Sequence, residues 1–258
     1  MTPPPHHRNV ELRTQRTHDH GTADLMTSWT TLAARPLAQD DGARTTRIGG
    51  GVGVASIVLI ATGFAIAAPT EATITSTESE VVAFYTDAGL ARTLTGGLIE
   101  VLGLVLFLGF AAMLTARVRG TAVADGLLAP TARMAATAYT AICLAPGMSA
   151  GAAALWLAHH GTTDGALLTA LNDLRSLSYF LALVPFALFL VTVGAAARST
   201  GTLPRWASVS GIVVGFALAA SLPFAADGPT DAMGLLGLLW VLAVSVTLLR
   251  RPGHHPAA

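Results

Sequence analysis

The sequence predicts an all-α membrane protein: a six-transmembrane-helix bundle with two short outer amphipathic helices. Three observations predict it. The 258-residue chain is 52% hydrophobic and 12% charged, with a mean hydropathy of +0.59, whereas an ordinary soluble domain carries about 25% charged residues. Its apolar residues are gathered into six runs, each about twenty residues or longer, the length of a membrane span. Its arginines fall in alternate connections between those runs, the pattern of a chain threaded back and forth with a positive cytoplasmic side.

Residues 1–46 are polar, with Pro3–Pro5, scattered His and Arg, and no apolar period. They read as a disordered cytoplasmic tail. His18 and His20 lie in it, and a mobile histidine pair is a poor metal site. Met26 offers an alternative start within the same stretch. The spanning domain follows over 47–250, and 251–258 is a short cytoplasmic tail.

The six runs cover 48–68, 97–116, 132–158, 177–197, 206–225 and 232–249. At about 1.5 Å per residue each crosses a hydrocarbon core of ~30 Å. No water is available there to satisfy backbone N–H and C=O groups, so runs of this length are helices. The third run holds Pro146, which predicts a kink. The first run contains an Ala65-Ile66-Ala67 cleavage-like site. Its length and its distance from the N-terminus favour a retained helix over a signal peptide.

Orientation follows from the arginines. Arg44 and Arg47 precede the first run; Arg117, Arg119 and Arg133 flank the second connection; Arg198 and Arg205 bound the fourth; Arg250 and Arg251 follow the last run. The opposite connections carry Arg92 and Arg175, together with Glu71, Glu78, Glu80, Asp87, Asp164, Asp173, Asp227 and Asp231. This bias puts both termini in the cytoplasm. Trp156 and Tyr179 then lie near the outer boundary and Trp206 near the inner one, where amphipathic rings belong.

Two outer loops predict short helices. Thr77 and Glu80 have capping-box spacing ahead of Val81, Val82, Phe84 and Tyr85. Thr163 or Asp164 would cap a second helix carrying Leu167, Leu168, Leu171 and Leu174 on one face. The ends of the second and fourth runs also share a pattern, Leu106-Phe107-Leu108 and Leu188-Phe189-Leu190, each followed by Ala-Arg. Duplication of a helix–outer helix–helix unit is one reading, and chance likeness of apolar sequence is the other.

Glu100 is the sharpest candidate for chemistry. A charged side chain at the bilayer centre costs about 2.5–3.5 kcal/mol on insertion scales, so a retained one faces the bundle interior or water. Glu100 sits in the outer quarter of its run, where the cost is smaller. It is either a hydrogen-bonded structural acid or a proton- or cation-binding one in an outward-facing cavity. Ser149, Tyr179 and Ser221 lie at similar depth on other runs, and Arg92 precedes Glu100 on about the same helical face. Small-residue pairs at four-residue spacing, Gly49/Gly53, Gly147/Gly151 and Gly211/Gly215, predict close helix packing within the bundle or, alternatively, between copies. Pro146-Gly147 and Pro185 are the places where a helix would break to open a site.

Other chemistries lack their residues. Cys143 is the single cysteine, so there is no internal disulfide and no multi-Cys metal site. No His falls inside the runs, which argues against haem held between helices. There is no His-Glu-x-x-His run, no Gly-x-Ser-x-Gly elbow and no phosphate loop. No cofactor or metal is expected, and nucleic acid is not an expected partner.

At Gly201-Thr202-Leu203-Pro204-Arg205-Trp206, running into Gly211 and Gly215, the chain resembles a widespread set of bacterial six-helix membrane proteins that share a domain of unknown function. The Val81–Tyr85 stretch fits the same pattern, and the likeness covers about residues 48–250. It implies the bacterial cytoplasmic membrane and supplies no catalytic residue. The stretch itself reads as topogenic, with Pro204 in the first turn of the fifth helix and Trp206 at the interface. Two function classes stand: a non-enzymatic protein that packs against a membrane partner, a second copy or lipid, and a small transporter or sensor that uses Glu100.

Overall fold

The computed structural model describes residues 39–67, 72–162, 164–227 and 229–250. Most of the predicted N-terminal tail and all of 251–258 lie outside the described residues. Helix and short connections make up the described chain, with no strand among the described residues. The elements are α1 (Gln39–Ala67), α2 (Glu78–Asp87), α3 (Leu90–Arg117), α4 (Ala129–Ile142), α5 (Ser149–His159), α6 (Gly165–Thr200), α7 (Arg205–Ser221) and α8 (Pro229–Arg250). A widened π turn at Ala124–Leu128 leads into α4, a second at Cys143–Met148 joins α4 to α5 in one rod, and a 3-10 turn over Leu222–Asp227 extends α7.

Six stretches are long and apolar enough to cross a membrane: Arg44–Ala67, Leu90–Arg117, Ala124–His159, Gly165–Thr200, Arg205–Ala225 and Pro229–Arg250. They match the six runs in number and order and extend most of them. The first helix begins at Gln39, so the last residues of the segment read as tail are helical. The third span begins at Ala124 instead of 132. Its entry, Thr121 to Thr131, is mostly apolar but interrupted by Asp125, Gly126 and Pro130, which break up the hydropathy signal of a helix.

The fourth span departs most from expectation. The segment after Asp164 does not stand alone as an outer helix; it is the first three turns of the 36-residue α6. Asp164 starts that helix as predicted, its Oδ1 accepting the Leu167 N–H at 3.2 Å. α6 then runs through Pro185 without a break. It is the central helix: 61% of its most apolar stretch is buried, against 22–39% for the other spans. Gly201, in the left-handed region at φ +66°, ends it. Pro204 lies one residue earlier than expected, as the extended residue that caps α7 (φ −55°, ψ 145°).

α2 does form as a separate helix. Thr77 and Glu80 make the reciprocal capping box, with the Thr77 N–H donating to Glu80 Oε2 at 2.7 Å. Val81, Tyr85, Ala154, Leu155 and Leu168 bury a small apolar cluster under it.

Backbones approach closely where α1 meets α3 and α8 and where α6 meets α7. Where α1 meets α3, a side-chain carbon on Gly63 would fall 2.6 Å from the Glu100 nitrogen and the Gly96 oxygen. The Ser56 hydroxyl donates to the Gly103 carbonyl at 2.9 Å in the same crossing. Where α6 meets α7, a carbon on Gly215 would fall 2.8 Å from the Ala187 oxygen. Only residues without a Cβ allow helices this near. Trp240 Nε1 donates to the Ala207 carbonyl at 2.9 Å and ties α8 to α7.

The two ends of the bundle differ in charge. Arg117 on α3 bonds Thr46 on α1, and Thr121 meets Ser199 on α6. The helix ends brought together there carry Arg44, Arg47, Arg117, Arg119, Arg133, Arg198, Arg205 and Arg250, with Asp125 among them. The opposite end holds Glu78, Glu80, Asp87, Asp164, Asp173 and Asp231 beside Arg92 and Arg175.

Candidate functional site

The centre of the bundle is aromatic. The Phe107 ring meets Tyr139, Phe186 and Phe189 edge-on, at centroid distances of 5.4, 6.1 and 5.4 Å. Tyr139 also stacks on Phe186 at 4.8 Å. Such offset and edge-to-face contacts add to the burial of the rings themselves. All four rings are buried, and they join α3, α4 and α6 across the middle of the bundle.

Polar side chains lie near one edge of this stack. Cys143 follows Tyr139 by one helical turn, and both lie within electrostatic range of Glu100 on α3. Tyr179 on α6 lies within the same range of Tyr139. Glu100 is half-buried, with its backbone against Gly63 of α1. Two of the four predicted site residues, Glu100 and Tyr179, therefore lie within electrostatic range of Tyr139. Neither Tyr139 nor Cys143 was marked by the sequence as part of this site. A tyrosine and a cysteine inside an apolar run look like packing residues, and their four-residue spacing is the signal that puts them on one face.

Ser149 and Ser221 serve backbone instead. The Ser149 hydroxyl donates to the Ala145 carbonyl next to Pro146. The Ser221 hydroxyl donates to the Leu218 carbonyl at 2.8 Å, and the Ser221 carbonyl accepts from Thr230 at 2.8 Å, linking α7 to α8. Arg92 turns away from Glu100: its Nε donates to the Ile66 carbonyl at 2.9 Å, and Thr93 reaches the Ala67 carbonyl at 3.4 Å. These two side chains satisfy carbonyls that the end of α1 leaves exposed.

The kink expected at Pro146 is a π turn over Cys143–Met148, which continues the helix that carries Tyr139. A proline lacks the N–H an α-helix needs at that point, and a widened turn accommodates its ring. No protein-family model matches the chain, and no curated protein and no solved structure matches it. The site is therefore read from its own geometry.

The glycine pairs face neighbouring helices of the same chain. Gly49 and Gly53 lie against Met113 and against Phe110 and Ser245, and Gly211 lies under the Trp240 ring. Gly147 sits 3.6 Å from Ser178, and Gly151 borders the Arg175 stem, both measured from an added side-chain carbon.

A second polar cluster, also unmarked by the sequence, holds α2 to α6. Asn172 is fully buried. Its Nδ2 donates to the Thr73 carbonyl at 3.1 Å, and its Oδ1 accepts from Tyr85 at 3.3 Å. Arg175 Nη2 donates to the Ala72 carbonyl at 2.7 Å, and its guanidinium lies 5.9 Å over the Phe84 ring. Among the described residues no group of three or more His, Cys, Asp or Glu is placed to hold a metal ion.

Proposed function

We propose that this is a six-span protein of the bacterial cytoplasmic membrane with both termini cytoplasmic, of the six-helix kind that its Gly201–Trp206 stretch resembles. It acts through its surfaces, by packing against a membrane partner, a second copy or lipid, and not by catalysis. The observation that carries this reading is the aromatic layer of Phe107, Tyr139, Phe186 and Phe189, which fills the middle of the bundle where a transport path would run. The arginine-rich end supports the cytoplasmic placement of both termini.

A second reading rests on a different observation. Glu100 lies within electrostatic range of Tyr139 and of Cys143, Cys143 opens the π turn that holds Pro146, and π turns recur at functional sites. In this reading Glu100 binds a proton or cation and the turn responds. Glu100→Gln separates the two. Loss of a proton- or cation-dependent response in reconstituted vesicles, with helicity unchanged, supports the second. Unchanged behaviour removes it and leaves the packing role.

A further inference from the structure

The arginine-rich end contains a cation whose counter-charge is missing from the described side chains. Arg117 ends the second span and is half-buried between α3 and the start of α1. Its Nη1 donates to the Thr46 hydroxyl at 2.7 Å, and its Nε is buried with no hydrogen-bond partner among the described residues. It forms no ion pair with a described carboxylate. Asp125, at the same end, already accepts Arg119 Nε at 3.0 Å and the Gly120 N–H at 3.3 Å. A partly desolvated guanidinium held only by a hydroxyl is costly, and an anion in reach removes that cost.

The surroundings select the anion. Arg44, Arg47, Arg133, Arg198, Arg205 and Arg250 lie exposed at the same end. Together they make a positive collar at the depth where apolar helices stop. On the six-span reading above, that depth is the phosphate level of the inner leaflet. A guanidinium fork matches phosphate oxygens in pairs. The collar attracts a headgroup with net negative charge and repels the ammonium of a zwitterionic one. We propose that the phosphate of an anionic phospholipid of the phosphatidylglycerol type seats at Arg117, where the end of α3 meets Thr46 of α1. Arg117 is its direct ligand, and Thr46 fixes the guanidinium.

The test uses the full chain reconstituted in bilayers with equal amounts of phosphatidylglycerol and phosphatidylcholine. Lipids that remain bound after gentle extraction are counted by native mass spectrometry. Wild type is expected to keep phosphatidylglycerol preferentially, and Arg117→Gln to lower its retention about fivefold, the usual effect of one arginine near an anionic surface. Arg119→Gln, whose guanidinium is already engaged by Asp125, should change retention less. If Arg117→Gln does not fold, Thr46→Val decides, because it frees the guanidinium without removing charge and should also lower retention. Equal retention of both lipids by wild type overturns the proposal, as does unchanged retention in Arg117→Gln or in that Thr46 variant. Displacement by millimolar inorganic phosphate assigns the site to soluble phosphate and also overturns it. A chain that fails to enter the bilayer contradicts the six-span reading itself, which separates that failure from loss of lipid preference.

Discussion

The Tyr85 hydroxyl donates to Asn172 Oδ1 across 3.3 Å, joining the short helix α2 to the first turns of α6. Asn172 spends its other polar group on the Thr73 carbonyl. One buried side chain thus holds both the helix and the loop that leads into it.

Replacing Asn172 by Ala should release that loop. Leaving buried partners unsatisfied costs about 1–3 kcal/mol, so amide exchange over 73–86 should quicken roughly fivefold to a hundredfold. Protection there equal to wild type would remove Asn172 as the anchor.

Glu80 gives α2 a pH dependence. The Thr77 backbone N–H donating to its carboxylate, helped by the Thr77 hydroxyl, holds the carboxyl below its usual 4.5. A depressed folded value means that the cap contributes fully above 4.5 and is lost as pH falls through the lowered value. Carboxyl carbon shifts of Glu80 followed by NMR should show a midpoint below 4.5 in the wild type and a rise toward that value in Thr77→Ala. A wild-type midpoint at 4.5 or above contradicts the cap.

The α1–α3 crossing separates two kinds of glycine. Gly63→Val places carbon against the backbone of Gly96 and Glu100, and overpacking of this kind costs about 1–3 kcal/mol. Gly97→Ala, one position along α3, meets open space and should leave stability equal or slightly raised, because alanine favours helix. Thermal unfolding in detergent reads both. Equal loss in the two variants would contradict the crossing.

Much of this architecture can be read from the sequence, and the limits of that reading have physical causes. Span number and order follow from hydropathy because backbone in lipid has few alternatives to helix. The caps at Thr77 and Asp164 follow from side chains that act within one turn. Asn172 and Arg175 carry no local signal of their roles, because their partners, Thr73, Tyr85 and Ala72, are about ninety residues or more away along the chain. For the same reason α6 hid its first three turns. Pro185 suggested a broken helix, yet α6 continues through it. Within the site, Glu100 and Tyr179 were legible as polar groups at matching depth. Tyr139 and Cys143 were not, since only the folded bundle shows which face of α4 lies near Glu100.

The central claim is a bundle of six spans with its arginine-rich end in the cytoplasm. Single-cysteine labelling tests it most directly, in a Cys143→Ala background and intact cells. Glu78→Cys, on α2 at the acidic end, should react with a membrane-impermeant thiol reagent. Ala122→Cys, between α3 and the third span, should react only after the membrane is opened. The reverse pattern would contradict the orientation, and equal accessibility of both sites would contradict the number of spans between them.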